Sequence, residues 1–287
     1  MGISSNISSE TTATSFADDT RLLRGISKEE DSIDREAAPD ILYTGPDGGP
    51  IEEKQCLRDL GVLVSTDLSF CEQIDKAVGS ATRMAGLVLR TFRRRSRDLM
   101  ITLLRSLVQP RLDYCSQLWS PRDQTNINKI EAVQRQFLSH IRDDLLTGKT
   151  YWEKLSLLRV YSQERRRERY QICFLWKLSQ GLVEGYQLDW QWSDRRGRIA
   201  IPKRIPPNAP VKVRNARERS LGVHGARLFN VLPIHLRNEN SGDFALFKNH
   251  LDIFLSMVPD QPTTPGLPRA AVTNSLLDQV PLLSTEH

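Results

Sequence analysis

Two aspartates stand side by side, Asp18 and Asp19, inside the stretch TSFADDTRLL that runs from Thr14 to Leu23. Adjacent carboxylates repel each other. Such a pair either sits in water at a turn or in a first helical turn, where Asp is favoured, or it is held together by a cation. A second kind of chemistry comes from arginine. Between Arg83 and Arg111 eight arginines stand against one acid, Asp98, and between Arg195 and Arg219 nine basic residues stand against Glu218 alone. Blocks of this density suit a polyanionic partner, because a guanidinium presents a planar fork to a phosphate. An arginine-laced helical surface accounts for either block equally well.

Other residue types narrow the chemistry. Cys56, Cys71, Cys115 and Cys173 are scattered, with no CxxC pair and no histidine at zinc-ligand spacing, so neither a metal knuckle nor a disulfide framework is expected. His140, His224, His235 and His250 are isolated and receive no catalytic role. The opening MGISSNISSE has neither a basic nor an apolar region of the secretory type, and no apolar run reaches the roughly 18 residues that a membrane span needs. The expectation is a soluble chain of a reducing compartment, cytoplasmic or nuclear, not secreted and with no membrane partner.

The elements that must position these residues are mainly helical. Ile74, Val78, Ala81, Ala85, Val88 and Phe92 recur at three- and four-residue steps, the stripe of an amphipathic helix. Met100, Leu103, Leu104, Leu107 and Val108 form a second stripe that Pro110 should close. Ile127, Ile130, Val133, Phe137 and Ile141 form a third. A fourth runs from about Ser162 to Gln180, with Tyr170, Cys173, Phe174 and Leu178 inward and Gly181 as its stop. Its QERRRER segment, Gln163 to Arg169, reads as a solvated face of mixed charge. Phe244, Phe247, Leu251 and Phe254 make the last stripe. Ahead of the helices, ILYT and CLRDLGVLVS read as strands flanking a GPDGGP turn. Residues 185 to 220 read as an irregular basic loop with short strands, VKVRNAR among them, and the Pro-rich end is not expected to fold. Tyr114 and Trp119 are expected in the core; Trp190 and Trp192 are candidate surface contacts for bases.

Several of these segments together resemble a known family. LRDLGVLVSTDLSFCEQIDKAVGSATRMAGLVLRTF, LVQPRLDYCSQLWSP, KIEAVQRQFLSHI, YWEKLSLLRVYSQERRRERYQICFLWKLSQGL, RLFNVLP and FALFKNHLD follow one another as in the region after the polymerase core of reverse transcriptases from non-LTR (LINE-type) retrotransposons. The resemblance covers roughly Leu57 to Phe254. Upstream, SFADDT resembles the aromatic-x-Asp-Asp motif of the reverse transcriptase palm.

The resemblance implies RNA-directed DNA polymerisation as the family activity. It implies a hairpin whose turn carries Asp18 and Asp19 as catalytic residues and ligands of Mg2+, the hard cation that clustered carboxylates bind in two-metal phosphoryl transfer. It implies a mainly α fold: a thumb-like helical bundle with a short N-terminal β-hairpin remnant of an α+β palm and disordered termini. The corresponding domains are a tail at 1–13, a palm remnant at 14–70, a thumb-like domain at 71–184, a basic loop and helical region at 185–258 and a tail at 259–287. Its partner is an RNA or DNA template and primer, gripped through Arg90, Arg93, Arg94, Arg95, Arg97, Arg195, Arg196 and Arg198. The family's third catalytic aspartate and nucleotide-binding fingers have no counterpart here, so the isolated chain is expected to be truncated and inactive as a polymerase. The alternative is a non-catalytic helical interaction protein or a mobile-element remnant, with Ala77, Ala81 and Ala85 offering a close-packing face.

Overall fold

A computed structural model describes residues 11–16, 19–24, 54–183, 197–201, 210–239, 242–262 and 274–283. Ala17, Asp18, the ILYT and GPDGGP segments, Trp190, Trp192, Arg195 and Arg196 lie outside them. The chain divides into two units, Met1–Gln55 and Cys56–His287.

In the first unit, β1 (Thr11–Phe16) pairs antiparallel with β2 (Asp19–Arg24). The register sets Thr11 opposite Arg24 and Phe16 opposite Asp19. Thr and aromatic residues in β1 favour the pleated backbone.

The second unit opens on another antiparallel hairpin, β3 (Cys56–Asp59) and β4 (Val62–Ser65). It lies wholly inside CLRDLGVLVS, which was expected to be one strand of a wider hairpin. Leu60 and Gly61 turn the chain with φ of 43° and 89°. Positive φ at both central residues is the type I′ geometry whose twist matches that of paired strands. Leu60 carries no usual turn signal and is held from outside: its carbonyl accepts the Tyr114 hydroxyl at 2.7 Å. Tyr114 is accordingly half exposed rather than in the core, whereas Trp119 is buried as expected.

Helices follow. In α1 (Cys71–Thr91) the stripe Ile74, Ala77, Ala81, Ala85 and Val88 is buried. The alanines allow close approach to α4 (Gln124–Leu138), so this small-residue face lies in the core and offers no docking surface. Between them, α2 (Arg97–Leu103) runs through a π-helical segment, Leu104–Val108, into α3 (Gln109–Asp113). Pro110 therefore does not close the helix. The Gln109 N–H reaches the Leu104 carbonyl five residues back, and the widened turn takes in a proline that cannot donate. Asp123 caps α4 through the Asn126 N–H, and a Thr150–Glu153 capping box starts α5 (Tyr151–Leu158). These elements enclose a first apolar core that holds Met100, Trp119 and Phe137.

Ser162 caps α6 (Gln163–Ser179), whose C-terminal half enters a second core through Ile172, Cys173, Leu175 and Trp176. The next helix, α7 (Val211–Arg219), contributes none of its described residues to that core. The core is built mainly from α8 (Ala226–Asn230), α9 (Ile234–Arg237), α10 (Phe244–Met257) and the start of α11 (Leu276–Leu283). Two expectations change here. VKVRNAR is helical rather than stranded, and the C-terminal segment after the Pro-rich stretch forms a helix with Leu276 fully buried. Gly225 closes the π-helical segment Leu221–Gly225 onto α6; a Cβ there would lie 2.8 Å from Leu175 Cδ1. The described fold is thus mainly helical with two short hairpins.

Candidate nucleic-acid interface

Five of the expected arginines sit where α1 passes into α2. Arg90 closes the last turn of α1, where a cation meets the negative end of the helix dipole. Arg93 and Arg94 are exposed in the connecting loop, and Arg97 is the first residue of α2. Arg95 has a different task. Its guanidinium donates to the Leu89 carbonyl at 3.3 Å, and its own carbonyl accepts the Arg142 N–H at 2.9 Å. That backbone bond docks the segment after α4 against the loop and adds exposed Arg142, which sequence spacing did not connect to the cluster. Among the described residues Arg90, Arg93, Arg94, Arg97 and Arg142 make no side-chain hydrogen bond or ion pair. Their charges are available to an outside partner.

The second block is spread differently. Arg198 is exposed just before Ile199, which is buried in the second core and exchanges two hydrogen bonds with the Asn230 side chain. In α7 the single acid of the block, Glu218, is drawn to Arg227, Arg217 and Arg122 at once. The Arg227 side chain holds its carboxyl below the usual carboxylate range, with the other two arginines adding to the effect.

Of the aspartate pair, Asp19 is the first residue of β2 and faces Phe16 across the hairpin; Asp18 lies outside the described residues. A magnesium ion there would need further oxygen donors beside the two carboxylates. Among the described residues no three His, Cys, Asp or Glu gather in a metal-binding group.

QERRRER is not a solvated face. Gln163, Arg165, Arg167 and Glu168 are all buried, Arg165 completely. The N-terminal half of α6 forms a polar layer between the two apolar cores, where most of the charged groups are met by specific partners while Arg165 Nε and Arg167 Nε and Nη1 have none. Arg166 grips Asp113 through Nε and Nη2, and Arg169 grips Asp252. Arg165 donates to the carbonyls of Pro259 and Asn274 at 3.0 and 3.4 Å. Glu168 accepts from Ser275 Oγ and from the Leu276 N–H, which holds the start of α11 in place. Glu131, on α4, accepts the Tyr151 hydroxyl and the Gln163 N–H, and burial pushes its carboxyl up to about 7. Sequence periodicity could not reveal this layer, since a charged residue paired in an interior and one in water have the same spacing.

No protein-family model, curated protein or solved structure matches the chain. Among the described residues no helix is long and apolar enough to cross a membrane.

Proposed function

We propose that the helical unit grips a nucleic-acid backbone through the arginines at the α1–α2 junction, and that the chain is the C-terminal part of a non-LTR reverse transcriptase limited, by itself, to template and primer binding. One observation carries the reading. Arg90, Arg93, Arg94 and Arg97 are concentrated on one junction and unneutralised among the described residues, while Arg166 and Arg169 of α6 are consumed by internal ion pairs and Arg165 and Arg167 are buried. Contacts of this type are to phosphate and are tolerant of sequence. By the same resemblance Asp18 and Asp19 are the residues that would hold Mg2+ in a complete polymerase.

Filter binding over a salt series tests the reading. Each phosphate neutralised on duplex DNA contributes a log–log slope of about 0.9, so replacing all four arginines with glutamine removes up to about 3.6 from the slope. No affinity at low salt, or a slope that the replacement leaves unchanged, overturns the proposal. Primer extension with magnesium and all four nucleotides is expected to give no product. Product lost in Asp18→Ala would restore catalysis to the chain.

A further inference from the structure

Tyr114, the residue that ends α3, is 55% exposed. Its ring is held at both ends. The backbone fixes one, and at the other the hydroxyl donates to the Leu60 carbonyl of the β3–β4 turn at 2.7 Å. A ring tethered in this way has little rotational freedom left to lose when another flat group settles on it. Cations gather at the same place. Lys76, on α1, donates to the Gly61 carbonyl at 2.8 Å, and Arg111, one turn before Tyr114, donates to Ser80 Oγ of α1 at 3.0 Å. Arg83 folds back along α1, its Nη1 3.4 Å from where a Cβ on Gly79 would stand. Lys76, Arg83 and Arg111 are all exposed, and among the described residues none of them meets a carboxylate. Of the acids close by in sequence, Asp75 pairs with Lys129 and Asp113 with Arg166, while Glu72 stands one turn before Lys76 and Asp59 next to Leu60. Positive charge is therefore in excess around the ring. The patch runs on into the α1–α2 junction: Arg90 folds back over Gly86 as Arg83 does over Gly79, and about 21 Å of helix lies between Lys76 and Arg90.

We propose that this patch takes an unpaired nucleobase, stacked on the Tyr114 ring with its flanking phosphates on Arg111, Lys76 and Arg83, and that the nucleic acid bound at this end of α1 is single-stranded. The inference rests on the nucleic-acid reading above and adds the strand type. A base inside a duplex has both faces covered by its neighbours, whereas an unpaired one gains from an aromatic face. Leu60, whose carbonyl holds the ring, is itself 84% exposed and adds apolar surface next to it.

Filter binding of the full chain compares an oligothymidylate of about 12 nucleotides with an abasic oligomer of equal length and with relaxed closed-circular duplex DNA. All of these offer phosphates, but only the first offers unpaired bases. Oligothymidylate should be held about fivefold or more tighter than the abasic oligomer, a preference lost in Tyr114→Leu and kept in Tyr114→Phe, which removes only the hydroxyl. Neither substitution should move the affinity for the duplex. Arg83→Gln should lower the log–log salt slope on the single strand by about 0.7. In the parent, with no variant required to fold, a thymidylate oligomer carrying 5-bromouracil should photocrosslink to Tyr114. Oligothymidylate and abasic oligomer held alike, equal losses in Tyr114→Leu and Tyr114→Phe, or crosslinks that avoid Tyr114 overturn the proposal. Duplex binding that keeps its junction-dependent salt slope in that case leaves the nucleic-acid reading standing; no binding of any of these ligands ends both.

Discussion

Glu131→Gln isolates what one buried carboxyl does to stability. In the fold this group titrates near 7, against an ordinary value of 4.5, because burial disfavours its charge more than the Tyr151 and Gln163 hydrogen bonds favour it. Below about pH 4.5 folded and unfolded chains both hold the proton, and the group's contribution is fully present. As the pH rises from there the unfolded chain releases its proton first, and stability falls by about 1.4 kcal/mol per pH unit until the folded group also ionises. The interval between 4.5 and about 7 gives a loss of about 3 kcal/mol, complete above neutrality. Glutamine has the same shape and cannot ionise. Urea unfolding at about pH 5 and about pH 8, followed by tryptophan fluorescence, should show a pH-dependent loss in the parent that shrinks by up to about 3 kcal/mol in the variant. Glu164 and Glu168 shift in the same direction in both proteins, and because the Glu131 charge helps to raise Glu164, its removal takes away part of that pH dependence as well. Equal pH-dependent losses in parent and variant would refute the reasoning, since Glu131 would then ionise in the fold as it does in water.

Three further substitutions test the scaffold by the same unfolding assay. Leu60 holds φ of 43° while 84% exposed, so Leu60→Asn, which tolerates that backbone region, should raise stability by up to about 1 kcal/mol, and Gly61→Ala at φ 89° should lower it by about 1. Asp252 receives both Arg169 nitrogens and the Tyr161 hydroxyl across elements far apart in sequence. Because its side chain is 35% exposed and partly screened, Asp252→Asn should cost about 1–2 kcal/mol rather than the full loss of a buried pair.

Apolar periodicity carried most of the helical fold. The stripes of α1, α4 and α10 place Ile74, Ala81, Val88, Ile130, Phe137, Phe247 and Leu251 in the two cores where their spacing put them. The failures have separate physical causes. β-branched Val211 and Val213 read as strand, yet α7 is short, largely polar and decided by its context rather than by propensity. Leu60 cannot be recognised as a turn residue without the Tyr114 hydroxyl that holds it. The start of α11 follows a Pro-rich stretch and depends on Glu168, more than a hundred residues earlier, for its first hydrogen bonds. Arg142 joined the arginine junction through a backbone bond, a kind of contact that side-chain type does not announce.

The two fates of arginine in this chain follow from what lies opposite each one. Those of α6 face carbonyls and carboxylates across an interface between cores, and an unpaired guanidinium there would carry a large desolvation cost. Asp113, Asp252 and the backbone carbonyls of Pro259 and Asn274 meet that need, which is why a segment as polar as QERRRER can be buried at all. Arg90, Arg93 and Arg94 at the α1–α2 junction are exposed and make no internal pair. Net charge over a window is therefore a poor guide to a binding surface: QERRRER is as arginine-rich as the junction but has little charge to lend. The division is incomplete at two buried residues, where Arg165 Nε and Arg167 Nε and Nη1 have no hydrogen-bond partner.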